Sequence, residues 1–420
     1  MSNKLILAVA SGAGNFLFLR AGTIAAQIIL SNTGGEKSLG EYYLLINLVN
    51  IAIGAATVPF VNYIQAATAI RASVLMLFRQ SAMLTCASLP VVCIAAFYVT
   101  GNIWSALIIS IYLALSVAEG LFSSLFIKKD GTHLYALTTS IRGGVTIGLT
   151  AFLAPIWGVP GFLACAAAAI VIQLMLMAHF YRSIQGRDSI NQDVEKEPNF
   201  MADIFPSVIS CLLVPVSFWL ISVGIERSSG RAAVGVFGVA LNVALLSSAV
   251  CQQAMLPLIK YLHKTGVVSR QGLATRASQL NILAPIILWS ILVVVIRLGG
   301  EVIGNLFHLS GQNQVLMLRL LDLLMIFSAI QLLKEAVGRQ LIALRRFWYS
   351  AFSNGIWCCG IVCGIFLVGA DSVNDVPYLM IILSAISLVV SFAYCSYISK
   401  IEIKAYVAAA SLCGLTWILR

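Results

Sequence analysis

Apolar residues run in long unbroken stretches along this chain, separated by short polar interruptions. Crossing about 30 Å of hydrocarbon takes about 20 such residues in a helix. By that measure twelve spans are predicted: 4–30, 42–64, 81–100, 103–127, 134–153 and 160–181, then 204–225, 232–256, 279–297, 315–337, 348–369 and 376–398. The runs are continuous and do not alternate, which excludes a closed β-barrel. The first run is longer than a signal-peptide core and reads as a retained span. Residues 405–419 form a last apolar stretch, too short for an ordinary span, that fits a short extra helix, a re-entrant segment or an interfacial helix.

Composition sharpens this picture. Of 420 residues 60% are hydrophobic and only 10% charged, against about 25% charged in soluble proteins. The expected fold class is therefore an all-α polytopic membrane protein. The net charge of +10 does not point to nucleic acid, because basic residues sit singly or in pairs between apolar runs. With the N-terminus placed inside, the inner segments carry 17 Lys and Arg and the outer loops carry Lys37, Arg227, Arg231 and Arg297. That asymmetry predicts a multi-pass protein with a cytoplasmic N-terminus. The longest polar stretch, 182–203, mixes both charge signs and reads as a cytoplasmic linker. The organisation expected is an N-terminal six-helix lobe (1–181), the linker (182–203), a C-terminal six-helix lobe (204–398) and a tail (399–420).

A short internal repeat supports the division. Leu39-Gly40-Glu41-Tyr42-Tyr43-Leu44 opens span two, and Val234-Gly235-Val236-Phe237-Gly238-Val239 opens span eight. At the same offset Asn47 matches Asn242. Six spans being an even number, the halves would be parallel repeats about an axis along the membrane normal.

Three features carry a family resemblance. One is the turn Gly34-Gly35-Glu36-Lys37-Ser38-Leu39-Gly40-Glu41-Tyr42 after span one, with its echo near Val234. Another is Trp157-Gly158-Val159-Pro160-Gly161 between spans five and six. The third is the twelve-span layout itself. On these the sequence resembles the Wzx-type O-antigen and polysaccharide flippases of the multidrug/oligosaccharidyl-lipid/polysaccharide (MOP) superfamily. The stretch Asp371–Val376 departs from the pattern, having no glycine turn. The resemblance implies two six-helix bundles in a V, as in MATE and other MOP transporters. It also implies movement of an undecaprenyl-pyrophosphate-linked oligosaccharide, an O-antigen repeat unit of lipopolysaccharide biosynthesis, between the leaflets of the bacterial inner membrane. Partners it implies are that lipid-linked glycan, membrane lipids, and the polymerase and chain-length proteins of the same pathway.

The residues themselves show no Walker A, HExxH or GxSxG sequence and no metal-ligand cluster, so no cofactor and no enzyme activity are expected. Ten Cys lie mostly within apolar runs and read as packing residues. Charges inside spans are costly, about 2.5–3.5 kcal/mol each at a helix centre, and usually face a cavity or a partner. They are Arg20, Glu119, Arg142, Arg319 and Asp322. Arg20 and Arg142 have no acidic residue within a helical turn. Their planar forks suit a pyrophosphate, or one of them bridges to Glu119. Arg319 would line the same kind of cationic cavity in the second lobe, or pair with Asp322 three residues on. Glu119 is a candidate for H+ or Na+ coupling. Lys334 and Glu335, near the end of span ten, are expected to snorkel. Gln27, Asn47 and Asn242 are candidates for sugar contacts or interhelical hydrogen bonds.

Two other classes compete with the flippase reading. A MATE-like multidrug or metabolite exporter of cations should carry an acidic excess in its cavity, whereas the five deep charges here are three Arg and two acids. A polysaccharide polymerase or ligase would need a large outer loop, and only 297–314 exceeds about a dozen residues.

Overall fold

The computed structural model describes residues 3–66, 73–128, 131–184, 204–265, 271–343, 346–369 and 371–399. Within them the chain is all-helical: α1 (Asn3–Ala56), α2 (Val58–Ala66), α3 (Ser73–Thr100), α4 (Ile103–Lys128), α5 (Thr132–Ile184), α6 (Phe205–Thr265), α7 (Gln271–Leu298), α8 (Gly300–Leu306), α9 (Gly311–Ala343), α10 (Phe347–Phe366) and α11 (Val376–Ser399). Residues 185–203 of the expected linker and the stretch 405–419 lie outside the described residues.

Nine of these helices are long and apolar enough to cross a membrane. Three of the nine bend back on themselves at a glycine: α1 at Gly35 (φ 71°), α5 at Gly158 (φ 58°) and α6 at Gly230 (φ 83°). A left-handed backbone there would be strained for any residue with a Cβ. Each glycine thus converts one helical stretch into two rods, and nine become the twelve that the apolar runs predicted. The missing turn glycine before α11 is also found: Gly369, two residues ahead of Asp371, takes φ 75°.

Another break, at Thr57, separates α1 from α2 just before Pro59. Proline supplies no N–H and disrupts the helical ladder. The Phe60 N–H turns to the Thr57 carbonyl, and the Ala56 carbonyl it leaves accepts the Ser81 hydroxyl of α3, so that backbone group is satisfied inside the protein, as an apolar surrounding demands.

α1 packs on α3, α4 and α5, while α6 packs on α7, α9 and α10, and α11 on α9 and α10. The two groups meet mainly along α1 and α6. Leu39, Tyr43, Leu44, Val236, Phe237 and Ala240 are buried in that contact region. On α3, Val91, Ile94 and Tyr98 repeat at helical spacing and stay exposed, forming an apolar stripe suited to acyl chains.

The sequence repeat has a structural counterpart. A Cβ added to Gly40 would lie 2.0 Å from the backbone oxygen of Arg231, and one added to Gly235 would lie 2.4 Å from the backbone oxygen of Glu36. Gly40 and Gly235 stand 195 positions apart, as do Glu36 and Arg231, and Gly35 and Gly230. Each half touches the other with equivalent residues, the signature of a two-fold contact. Only glycine lets two backbones approach this closely.

Candidate polar centre of the first helix group

The first helix group holds a polar cluster that is half-buried to buried. Glu119 sits on α4. Tyr135, Thr139 and Arg142 repeat at spacings of four and three on α5, so they share one face. Gln173 stands on the returning rod of α5. The side chains of Arg142 and Glu119 approach to 3.7 Å and are 15% and 14% exposed. Fully buried Gln173 bridges the pair. Its carbonyl accepts from Arg142 Nη1 at 3.1 Å, and its amide donates to Glu119 Oε1 at 3.3 Å and to Thr139 Oγ1 at 3.2 Å. Tyr135 donates to the same Glu119 oxygen at 3.3 Å. An interhelical bridge between Arg142 and Glu119 is thus the arrangement present.

Arg20 belongs to the same neighbourhood. It lies within electrostatic reach of Arg142, Tyr42, Tyr43 and Tyr112. The approach has a local cause: a Cβ on Gly22 would come within 2.8 Å of the Gly143 backbone, so α1 and α5 cross closely beside both arginines. Next to it, Tyr43 donates to Gln27 at 3.1 Å and accepts from Asn242 of α6 at 3.1 Å. Asn47 donates to Ser222 at 2.9 Å. Gln27, Asn47 and Asn242 therefore serve as interhelical hydrogen bonds.

In the second helix group the charges are arranged differently from the expectation. Asp322 pairs with Arg297 of α7 at 3.1 Å, and Arg319 remains exposed on α9. Two residues three apart share a face, but an arginine from a neighbouring helix takes the carboxylate first. Lys334 and Glu335 do not snorkel. The Lys334 ammonium lies 5.9 Å from the centre of the Trp357 ring, and Glu335 accepts from Ser248 at 3.0 Å. Arg339, one of the 17 Lys and Arg of the inner segments, is 4% exposed and donates to Asn281 at 2.7 Å.

Sequence reasoning missed Gln173, Tyr135, Asn281 and the burial of Arg339. Gln173 had a signal, since it is a lone amide in the middle of the apolar run 160–181. Tyr135 had none, because tyrosines near span ends are ordinary interfacial residues. Among the described residues there is no group of His, Cys, Asp and Glu fit to hold a metal ion.

No protein-family model matches the sequence, and no curated protein is significantly similar to it. Solved structures do match. A MOP superfamily transporter from Pyrococcus furiosus, described as having a binding pocket of reversed polarity that suggests a different function, superposes with TM-score 0.69 at 13% identity. The match covers 98% of this chain and 99% of that one. A MATE transporter in its straight conformation gives TM-score 0.68 at 13% identity, over 98% and 96%. A Vibrio cholerae MATE transporter gives TM-score 0.62 at 12% identity, over 94% and 97%. At such low identity these superpositions show a shared fold: the chain is an all-helical, multi-pass membrane protein with a MATE-like fold.

Proposed function

We propose that the chain is a MATE-like exporter that moves its substrate by alternating access, the two helix groups rocking about their contact along α1 and α6. The observation that carries this reading is the Glu119–Arg142–Gln173 cluster. Charged groups among membrane-spanning helices are costly, and a purely structural interior could be built from apolar side chains. Glu119 is the candidate coupling group for H+ or Na+, and Arg20 and Arg142 are the candidate substrate contacts. Arg319 and Asp322 would contribute from the second group. Residues 1–181 and 204–398 act as the two moving lobes, joined by a linker at 182–203. The setting is a bacterial inner membrane with the N-terminus in the cytoplasm.

A second reading is favoured by the nearness of Arg20 to Arg142, the arginine of the cluster. Two guanidinium groups in one neighbourhood suit an anionic head group, as in flipping of an undecaprenyl-pyrophosphate-linked oligosaccharide, with polymerase and chain-length proteins as partners. The two readings separate in one experiment. Purified protein in proteoliposomes is tested for proton- or sodium-driven movement of lipophilic cationic dyes, and separately for flipping of a pyrophosphate-linked glycolipid. Dye export that disappears in Glu119→Gln supports the exporter. Glycolipid movement without dye export supports the flippase. Neither activity in folded protein rejects both.

A further inference from the structure

We infer that Glu36 and Arg231 form a two-armed latch of opposite charge that holds the two helix groups together at one end of the molecule. This rests on the alternating-access reading for its purpose, though not for its geometry. Glu36 follows the turn glycine of α1. Its carboxylate crosses to the second group, where Oε1 accepts from the backbone N–H of Ser310 at 2.9 Å and Oε2 accepts from the Asn313 amide at 2.5 Å. Ser310 and Asn313 flank the start of α9, a helix of 33 residues. A carboxylate at a helix N-terminus meets unsatisfied N–H groups and the positive end of the dipole.

Arg231, the equivalent of Glu36 by the 195-position offset, follows the turn glycine of α6. It crosses the other way, to the first group, and donates to the carbonyl of Val99 at 3.4 Å. Val99 lies in the last turn of α3, where a cation meets the negative end of the dipole. Arg231 is held in place by Glu226 at 2.7 Å. Each arm thus carries the charge that the helix end it reaches prefers. Beside the Glu36 arm, Ser31 of α1 donates to the carbonyl of Phe307 at 2.6 Å. The next residue, His308, takes the left-handed value φ 48°. That turn presents the Phe307 carbonyl and the Ser310 N–H to the same neighbour. Under the orientation predicted from Lys and Arg, this is the outward end, and the latch closes the outward gate.

The test uses the full chain in lipid nanodiscs, its native cysteines replaced and spin labels at Asn102 and Asn374, both exposed near this end. The unsubstituted protein is expected to favour a short distance. Glu36→Gln and, independently, Asn313→Ala should each raise the long-distance population relative to the short one, Glu36→Gln by about tenfold or more, as loss of hydrogen bonds to a charged group implies. Glu36→Gln combined with Arg231→Met should go further. Unchanged distances in all three variants overturn the latch. A second measurement cross-links Glu36→Cys to Asn313→Cys with a short bifunctional thiosulfonate. Transport that stops on cross-linking and returns with reductant supports the latch, and transport that continues overturns it. If the distances shift while no substrate moves in any variant, the latch stands and the exporter reading fails.

Discussion

Substitution of Gly40 by alanine is the sharpest probe of how the two helix groups meet. The added Cβ would lie 2.0 Å from the Arg231 backbone oxygen and 2.9 Å from its carbonyl carbon, where ordinary contact begins at 3.4 Å. The shortfall is about 1.4 Å, and the obstacle is backbone, which cannot rotate away like a side chain. Overpacking of this kind costs about 1–3 kcal/mol. If the groups separate to relieve it, that cost falls on the closed arrangement alone. Each 1.4 kcal/mol then changes the closed-to-open ratio tenfold. Gly40→Ala should therefore populate the open arrangement at the Glu36 end and weaken the close-packed state. Gly235→Ala should act in the same direction, since its Cβ meets the Glu36 oxygen at 2.4 Å. Label distances between Asn102 and Asn374 and thermal unfolding in detergent measure both effects. Gly35→Ala is a useful contrast: nothing lies within 4 Å of its Cβ, so its cost comes only from the left-handed backbone. If Gly40→Ala leaves the distances and the unfolding temperature unchanged, the groups do not pack at the proposed contact and the reciprocal arrangement is refuted.

Glu119→Gln should lower thermal stability, because it leaves the half-buried Arg142 charge without its carboxylate, by less than the about 3–5 kcal/mol that breaking a fully buried pair costs. The double change Glu119→Leu with Arg142→Leu should recover part of that loss, and a double-mutant cycle on unfolding measures the coupling. Arg142→Ala and Arg20→Ala should each strongly reduce transport at matched protein levels. Arg→Lys should restore part of it, since charge survives while the fork is lost. Gln173→Leu should lower stability by about 0.6 kcal/mol for each interhelical hydrogen bond removed, read by the same unfolding assay. Single cysteines placed in 182–203 should label only from the cytoplasmic side of intact cells, as the Lys and Arg distribution requires.

How much was legible beforehand depends on which interactions are local. Twelve crossings follow from apolar length alone, because the bilayer fixes how many residues a helix needs. The turn around Gly35 is visible too, since a reversal between two apolar rods calls for a residue that tolerates positive φ, whereas its counterpart Gly230 lies ahead of the echo at Val234 and emerges only from the backbone. The offset linking Gly40 to Gly235 was readable as a repeat, while the fact that these glycines touch the opposite half was not. Charges in spans are visible as candidates because their cost is intrinsic to the residue and its depth. Their partners are another matter. Asp322 has Arg319 one turn away, yet it pairs with Arg297 from α7, and Arg142 finds Glu119 on the preceding helix and Gln173 on the returning rod of its own α5. A buried charge takes whichever partner lies nearest in space, and helix packing brings those partners together across tens to hundreds of residues. Apolar length and composition are enough to make this a membrane-crossing helical protein, and a glycine pair is enough to mark the turn at Gly34 and Gly35. Which polar groups meet follows from the packed helices, because their crossings, set by small residues such as Gly22, Gly40 and Gly235, choose the neighbours.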